Sequence, residues 1–279
     1  MTYRKAYEVG RYILEEAKID NPSGDAFTLL SICCMIDRTY YLTHEDTELT
    51  EEQKTQYRIM LTKRAEHIPL QYITGIAPFM GLMLKVNSSV LIPRFDTEVV
   101  VAEAIKLLKG DERVLDLCTG SGCIALALKN KFPMLNVVAS DMSKAALNVA
   151  KENAKLYNMD IDFVKSDMFD KVKGSFDLII SNPPYIKSDV INTLTPEVRD
   201  FEPNEALDGM DDGLYFYRII AGKSKKYLKK GGKLVLEIGY DQGEEVSDML
   251  FKNGFSPISV IKDLAHLDRV IVARHMGES

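Results

Sequence analysis

The sequence predicts an α/β protein: a mostly parallel, doubly wound sheet of seven strands, preceded by a small α-helical domain and a β-hairpin linker. Three observations carry this expectation. From Arg94 onward, short apolar runs alternate with helix-patterned stretches, the rhythm of parallel strands joined by crossover helices. The turn between the first such strand and its helix, Asp116-Leu117-Cys118-Thr119-Gly120-Ser121-Gly122, is rich in glycine, which lets backbone pass close to a ligand and into a helix N-terminus. Before Pro78, apolar residues recur instead at helical spacing.

In order along the chain, Tyr7, Ile13, Leu14, Ala17 and Ile19 mark a first helix that stops at Asn21-Pro22-Ser23-Gly24. A second apolar stretch covers 26–36. Thr50-Glu51-Glu52-Gln53 is a capping-box pattern and opens a helix through Tyr57, Met60, Leu61 and Ala65, with Pro69 and Gly75 ending the region. Residues 79–92 alternate loosely around Asn87-Ser88-Ser89 and read as a β-hairpin. The expected division is a helical domain over 1–77, a hairpin linker over 78–93 and an α/β domain over 94–279.

In the α/β domain, strands are expected over 113–117, 137–140, 161–165, 176–181, 233–238, 257–262 and 269–273. Helices are expected over 124–131, from an N-cap at Ser143 to about Tyr157, over 214–228 and over 244–252. Gly231-Gly232 turns the chain into the fifth strand.

Composition narrows the function. A net charge of −6 over 279 residues argues against a broad nucleic-acid surface, although short basic runs such as Lys223-Ser224-Lys225-Lys226 occur. No stretch approaches the roughly 20 apolar residues of a membrane span, and Met1-Thr2-Tyr3-Arg4-Lys5 lacks a secretory h-region. Cys33, Cys34, Cys118 and Cys123 form no CxxC pair and have no histidines at zinc spacing, so reduced thiols, a cytoplasmic location and no metal are expected.

Four acidic or polar signals fall at the C-terminal ends of successive strands, where open α/β sheets bind ligands. The Asp116–Gly122 loop lacks the third glycine of a dinucleotide fingerprint and carries a carboxylate suited to a ligand with cationic groups. Asp141 follows 19 residues after Gly122, near the offset at which a carboxylate meets ribose hydroxyls. Asp167 could accept from an adenine amino group while Met168 packs on its face. Asn182-Pro183-Pro184-Tyr185 ends the fourth strand. Two prolines hold that turn stiffly, leaving the Asn182 amide oxygen and the Pro183 carbonyl as paired acceptors for a planar NH2, with Tyr185 to cover it.

These residues resemble a class I S-adenosylmethionine-dependent methyltransferase, with a Rossmann-like sheet. In that superfamily the Asn182–Tyr185 pattern marks enzymes that methylate amino groups conjugated to planar systems. Further stretches resemble the HemK/PrmC family of peptide chain release factor glutamine methyltransferases. They are Pro69-Leu70-Gln71-Tyr72-Ile73-Thr74-Gly75, Leu91-Ile92-Pro93-Arg94-Phe95-Asp96-Thr97-Glu98, Val198-Arg199-Asp200-Phe201-Glu202-Pro203 and Ala206-Leu207-Asp208-Gly209 with Asp212-Gly213-Leu214 and Tyr217. The resemblance spans nearly the whole chain.

It implies methyl transfer from S-adenosylmethionine to the glutamine of a Gly-Gly-Gln motif, with release factors as protein partners, no nucleic acid or membrane, and a monomer. Asn182, Pro183, Pro184 and Tyr185 would be catalytic. Asp116, Cys118, Thr119, Gly120, Ser121, Gly122, Asp141, Asp167, Met168, Asn182 and Phe95 would hold the cofactor. An adenine-N6 methyltransferase shares the Asn182–Tyr185 chemistry and is the alternative. Two residues depart from the family pattern. Cys118 stands where Gly is common, and is expected to have φ below zero; Phe95 stands where Pro is common, and could wall the cofactor.

Overall fold

The computed structural model describes residues 1–277; Glu278 and Ser279, the end of the expected 94–279 span, lie outside the described residues. The chain opens with α1 (Tyr3–Glu16), α2 (Pro22–Cys34), α3 (Arg38–Thr43), α4 (Glu51–Ala65) and α5 (Leu70–Thr74). A hairpin of β1 (Ile76–Phe79) and β2 (Leu82–Lys85) follows, then α6 (Phe95–Leu107). The alternating region runs β3 (Arg113–Leu117), α7 (Cys123–Lys131), β4 (Asn136–Asp141), α8 (Lys144–Leu156), β5 (Asp162–Lys165) and β6 (Phe176–Ser181). Short helices α9 (Ser188–Ile191) and α10 (Pro196–Phe201) interrupt the next loop. The chain closes with α11 (Tyr215–Lys223), β7 (Leu228–Glu237), α12 (Gly243–Lys252), β8 (Phe255–Lys262) and β9 (Asp268–His275).

Two compact units result. The first comprises Met1–Gly75 together with Thr195–Phe201, and the second Ile76–Leu194 with Glu202–Ser279. The hairpin therefore belongs to the second unit rather than forming a separate linker. Its turn falls at Met80 and Gly81, both with positive φ, and not at Asn87-Ser88-Ser89. A second difference is α10, which lies far along the chain yet belongs to the N-terminal unit.

That N-terminal unit is held by apolar residues on α1, α2 and α4, among them Leu14, Leu29, Leu30, Tyr57 and Leu61. The α4 capping box forms as its sequence dictates, Thr50 and Gln53 each satisfying the other's backbone N–H. Arg64, 4% exposed, is enclosed by acceptors: its Nε donates to Asp25 at 2.6 Å, Nη1 to the Ile68 carbonyl at 3.1 Å, and Nη2 to Glu197 of α10.

In the second unit, seven strands among the described residues form one sheet in the order β5-β4-β3-β6-β7-β9-β8. The first five are parallel, and β9 runs antiparallel to both neighbours. Strand periodicity sorts the core. Val114, Leu178, Ile180 and Val235 face α6, α7, α8 and the hairpin. Leu115, Leu117, Ile179, Leu234 and Leu236 face α11 and α12. Burying both faces of the sheet is what near-continuous apolar strands require. The strand β7 begins earlier than expected, because Leu228 pairs with Phe176 and Lys233 with Leu178, leaving four residues bulged between them.

Candidate active site

Strand order reverses at β3: β4 and β5 lie to one side, β6 and β7 to the other. Ligands bind at such a switch point. A cavity of about 450 Å³ opens there, lined from the loops that follow β3, β4, β5 and β6 and by Pro203, Asn204, Glu205 and Ala206. Ser89, Val90, Leu91, Pro93, Arg94 and Thr97 complete another wall.

The glycine loop is braced from behind. Strand alternation turns Asp116 inward, where it is fully buried; it accepts from Thr119 Oγ1 at 2.5 Å and from the Ala125 N–H at 3.1 Å. Burial pushes its carboxyl up to about 7 against those two bonds. Asp116 thus braces the loop through Oδ2 and does not itself line the cavity. Gly120 (φ +56°) donates its N–H to Asp141 Oδ2 at 2.9 Å, while Ser143 N–H reaches Oδ1 at 2.8 Å. Burial raises the Asp141 carboxyl, opposed by these same bonds. Gly122 (φ +82°) begins α7, and a Cβ there would sit 3.1 Å from that of Ala150.

Cys118 departs from expectation: its φ is +64°, not negative. The chain must turn sharply after β3 for the Thr119 N–H to reach the Ser140 carbonyl at 3.0 Å, and it does so through the left-handed region. That costs a side-chain-bearing residue about 1–2 kcal/mol. The Cys118 Sγ lies 3.8 Å from Met168 Sδ, and burial raises its thiol well above the ordinary range, as it pushes Cys123 up to about 12. Neither is a thiolate nucleophile.

At the end of β6, Ser181 Oγ donates to the Leu117 carbonyl at 2.5 Å and locks the strand tip to β3. Asn182 Nδ2 then donates to Thr97 Oγ1 at 3.1 Å, and Thr97 Oγ1 donates to Glu237 Oε2 at 2.7 Å. Tyr185 reaches the same carboxylate from the motif's other end, its hydroxyl 3.4 Å from Oε1.

Of the residues singled out by sequence, Cys118, Thr119, Gly120, Ser121, Asp141, Asp167, Met168, Asn182 and Pro184 line the cavity. Asp116, Gly122, Pro183 and Tyr185 flank it without being lining residues. Phe95 lies apart: it is 80% exposed at the start of α6 and does not line the cavity. Sequence reasoning missed Thr97, Glu205 and Glu237 as individual residues. Glu237 did carry a signal, an acid closing an otherwise apolar buried strand.

The cavity suits a polar, nucleoside-sized ligand. It falls within the size range of small-molecule sites, and two hydroxyls on its wall, Ser121 and Ser140, are buried without partners among the described residues. The acids Asp141 and Asp167 offer acceptors for ribose and amino groups on the same wall. These donor and acceptor types fit S-adenosylmethionine.

Comparison with known proteins agrees. Residues 5–75 match the PrmC N-terminal domain family, and 87–197 the Methyltransferase small domain family. The chain is 39% identical to the release factor glutamine methyltransferase of Geobacter sulfurreducens, covering 98% of this chain and 96% of that one. The enzyme of the same name from Clostridium botulinum is also 39% identical, over 95% and 96% of the two chains. A methyltransferase structure from Pyrococcus furiosus, 19% identical, superposes with a TM-score of 0.55 over 81% of this chain and 99% of that one, a likeness of fold. Cavity, strand-end acids and full-length similarity converge: this chain belongs to the release factor glutamine methyltransferase family, whose methyl donor is S-adenosylmethionine.

Proposed function

We propose that this chain methylates the side-chain amide nitrogen of the glutamine in the Gly-Gly-Gln motif of peptide chain release factors. The observation that carries the reading is Asn182, an amide fixed by its nitrogen end to Thr97 and lining the same cavity as Asp141 and Asp167. When bound, S-adenosylmethionine supplies an electrophilic sulfonium methyl. Asp141 would hold the ribose, Asp167 and Met168 the adenine, and the loop over 118–121 the remainder.

An amide nitrogen is a weak nucleophile because its lone pair is delocalised. Asn182 Oδ1 and the Pro183 carbonyl would accept its two N–H bonds and orient the lone pair for in-line attack. These acceptors gain strength as positive charge develops on nitrogen, so they act mainly in the transition state. With the methyl accepted by the nitrogen that Asn182 Oδ1 and the Pro183 carbonyl hold, one of the two amide protons would be given up to solvent. A strong base is not required.

The N-terminal unit is proposed to dock the release factor, since one glutamine side chain cannot distinguish its target from other protein amides. Exposed apolar side chains on this unit, Tyr12, Met35 and Leu42 among them, supply contact area. The protein is proposed to act as a monomer, and among the described residues no helix is long and apolar enough to cross a membrane. A cytoplasmic location suits a translation substrate. The direct test is mass spectrometry of a release factor incubated with this protein and S-adenosylmethionine. One added methyl on the Gly-Gly-Gln glutamine is expected; label on DNA or RNA adenine, or on neither, would overturn the reading.

A further inference from the structure

We infer that Thr97 and Glu237 are positioning residues that fix which end of the Asn182 amide faces the cavity. This deepens the reading of Asn182 given above and rests on it. Thr97 and Glu237 are 2% and 1% exposed, so their polar groups rely on protein partners. A hydroxyl has one hydrogen, and Thr97 directs its own to Glu237 Oε2 at 2.7 Å. At about pH 8, above the value of about 7 to which burial pushes this carboxyl, Glu237 is ionised and can only accept. The Thr97 oxygen is then left with lone pairs alone. It can receive a hydrogen bond from Asn182 but cannot give one, so Asn182 must present Nδ2, as it does at 3.1 Å. Its Oδ1 is thereby reserved for a donor outside this chain of bonds.

The carboxylate is itself pinned. Its Oε1 lies 3.4 Å from the Tyr185 hydroxyl, and the Glu237 carbonyl accepts from Tyr217 at 2.8 Å. Arg269 on β9 stabilises its charge, while Asp96 on α6, 3.3 Å from the Arg269 guanidinium, opposes it. The two end side chains of the turn, Asn182 through Thr97 and Tyr185 directly, thus converge on one buried acid. Without the Thr97 hydroxyl, nothing in this chain of bonds distinguishes the two ends of the Asn182 amide. A flipped amide would turn its NH2 toward the substrate's NH2, donor against donor.

The test compares wild type, Thr97→Val, Thr97→Ser, Glu237→Gln and Asn182→Ala at about pH 8 with saturating S-adenosylmethionine. Single-turnover methylation of a release factor and cofactor Kd by calorimetry are both measured. Thr97→Val keeps shape but loses the hydroxyl, and is expected to lower the rate roughly 10- to 100-fold with Kd within about threefold. Thr97→Ser should restore the rate to within a few-fold. Glu237→Gln, which can offer an N–H to Thr97, serves as a second arm should Thr97→Val not fold, and should also slow the rate. If Asn182→Ala is slow while Thr97→Val or Glu237→Gln runs at the wild-type rate, the relay is overturned and the reading of Asn182 stands. Equal loss in Thr97→Val and Thr97→Ser would also overturn it, since shape rather than polarity would be at stake. A wild-type rate in Asn182→Ala would instead remove the parent reading.

Discussion

Raising the pH from about 5.5 to 8 should weaken the folded methyltransferase unit by about 4 kcal/mol. The two groups responsible are Asp116 and Glu237, pushed by burial from 3.8 and 4.5 to about 7 each. A carboxyl whose folded value lies above its unfolded one opposes folding when ionised. The penalty is absent below the unfolded value and complete above the folded one. Between about pH 5.5 and 7 the unfolded chain has shed both protons while the native protein keeps most of them. That interval, at about 1.4 kcal/mol per pH unit, gives about 2 kcal/mol per group. Asp141, also raised by burial, adds the same sign. Glu112 and Asp177 are held low by hydrogen bonds that outweigh their burial; their contribution is complete above the ordinary carboxylate range and flat in this window. Urea unfolding followed by circular dichroism at the two pH values measures the difference. Glu237→Gln should remove about half of it. Stability that is flat or rises toward pH 8, or a slope untouched by Glu237→Gln, would refute the assignment of buried, high-lying carboxyls.

Other expectations follow from the same geometry. Asn182→Ala should lower kcat on release factor about 100-fold while leaving S-adenosylmethionine affinity near wild type, read by steady-state kinetics and calorimetry. Asp141→Ala should weaken S-adenosylmethionine binding by about 1.5–3 kcal/mol, through a lost ribose contact and a loosened Gly120 N–H. Arg64→Met strands the Asp25 and Glu197 carboxylates and should cost the N-terminal unit about 3–5 kcal/mol. Adding Asp25→Asn and Glu197→Gln should recover most of that loss in denaturant titrations. Met35→Asp, at a position 92% exposed, should raise KM for intact release factor severalfold with kcat unchanged, if that surface docks substrate.

Much of this architecture was legible because its signals are local. The strand over 113–117 and the helix capped by Ser143 appear as expected, since apolar runs and a side-chain cap lie within single elements. The strand-end acids were legible because sheet topology alone puts successive strand tips together. What escaped is non-local or conformational. α6 has no strong periodic signal of its own, and its Thr97 acquires meaning only through Glu237, 140 residues away. The left-handed Cys118 follows from a loop geometry that tolerates strain, against the residue's own preference. Phe95 sits among residues of a recognisable sequence stretch, but at the first turn of α6 its ring is exposed to solvent.

The membership of Thr195–Phe201 in the N-terminal unit makes that unit non-modular. Its chain is discontinuous, so no single cut releases it whole. A protein begun near Leu82 would lose α1 to α5 yet retain α10, whose Glu197 would have no Arg64 to meet. Such a truncation would disturb the span between Tyr185 and Asp208 for reasons unrelated to substrate docking, and its lost activity would be ambiguous. The same discontinuity bears on descent. A domain joined at one point can be exchanged by simple fusion, whereas this unit shares a stretch of chain with the loop that follows the Asn182–Tyr185 turn. Such a unit would diverge by changes on its surface, residue by residue, rather than by replacement of the domain.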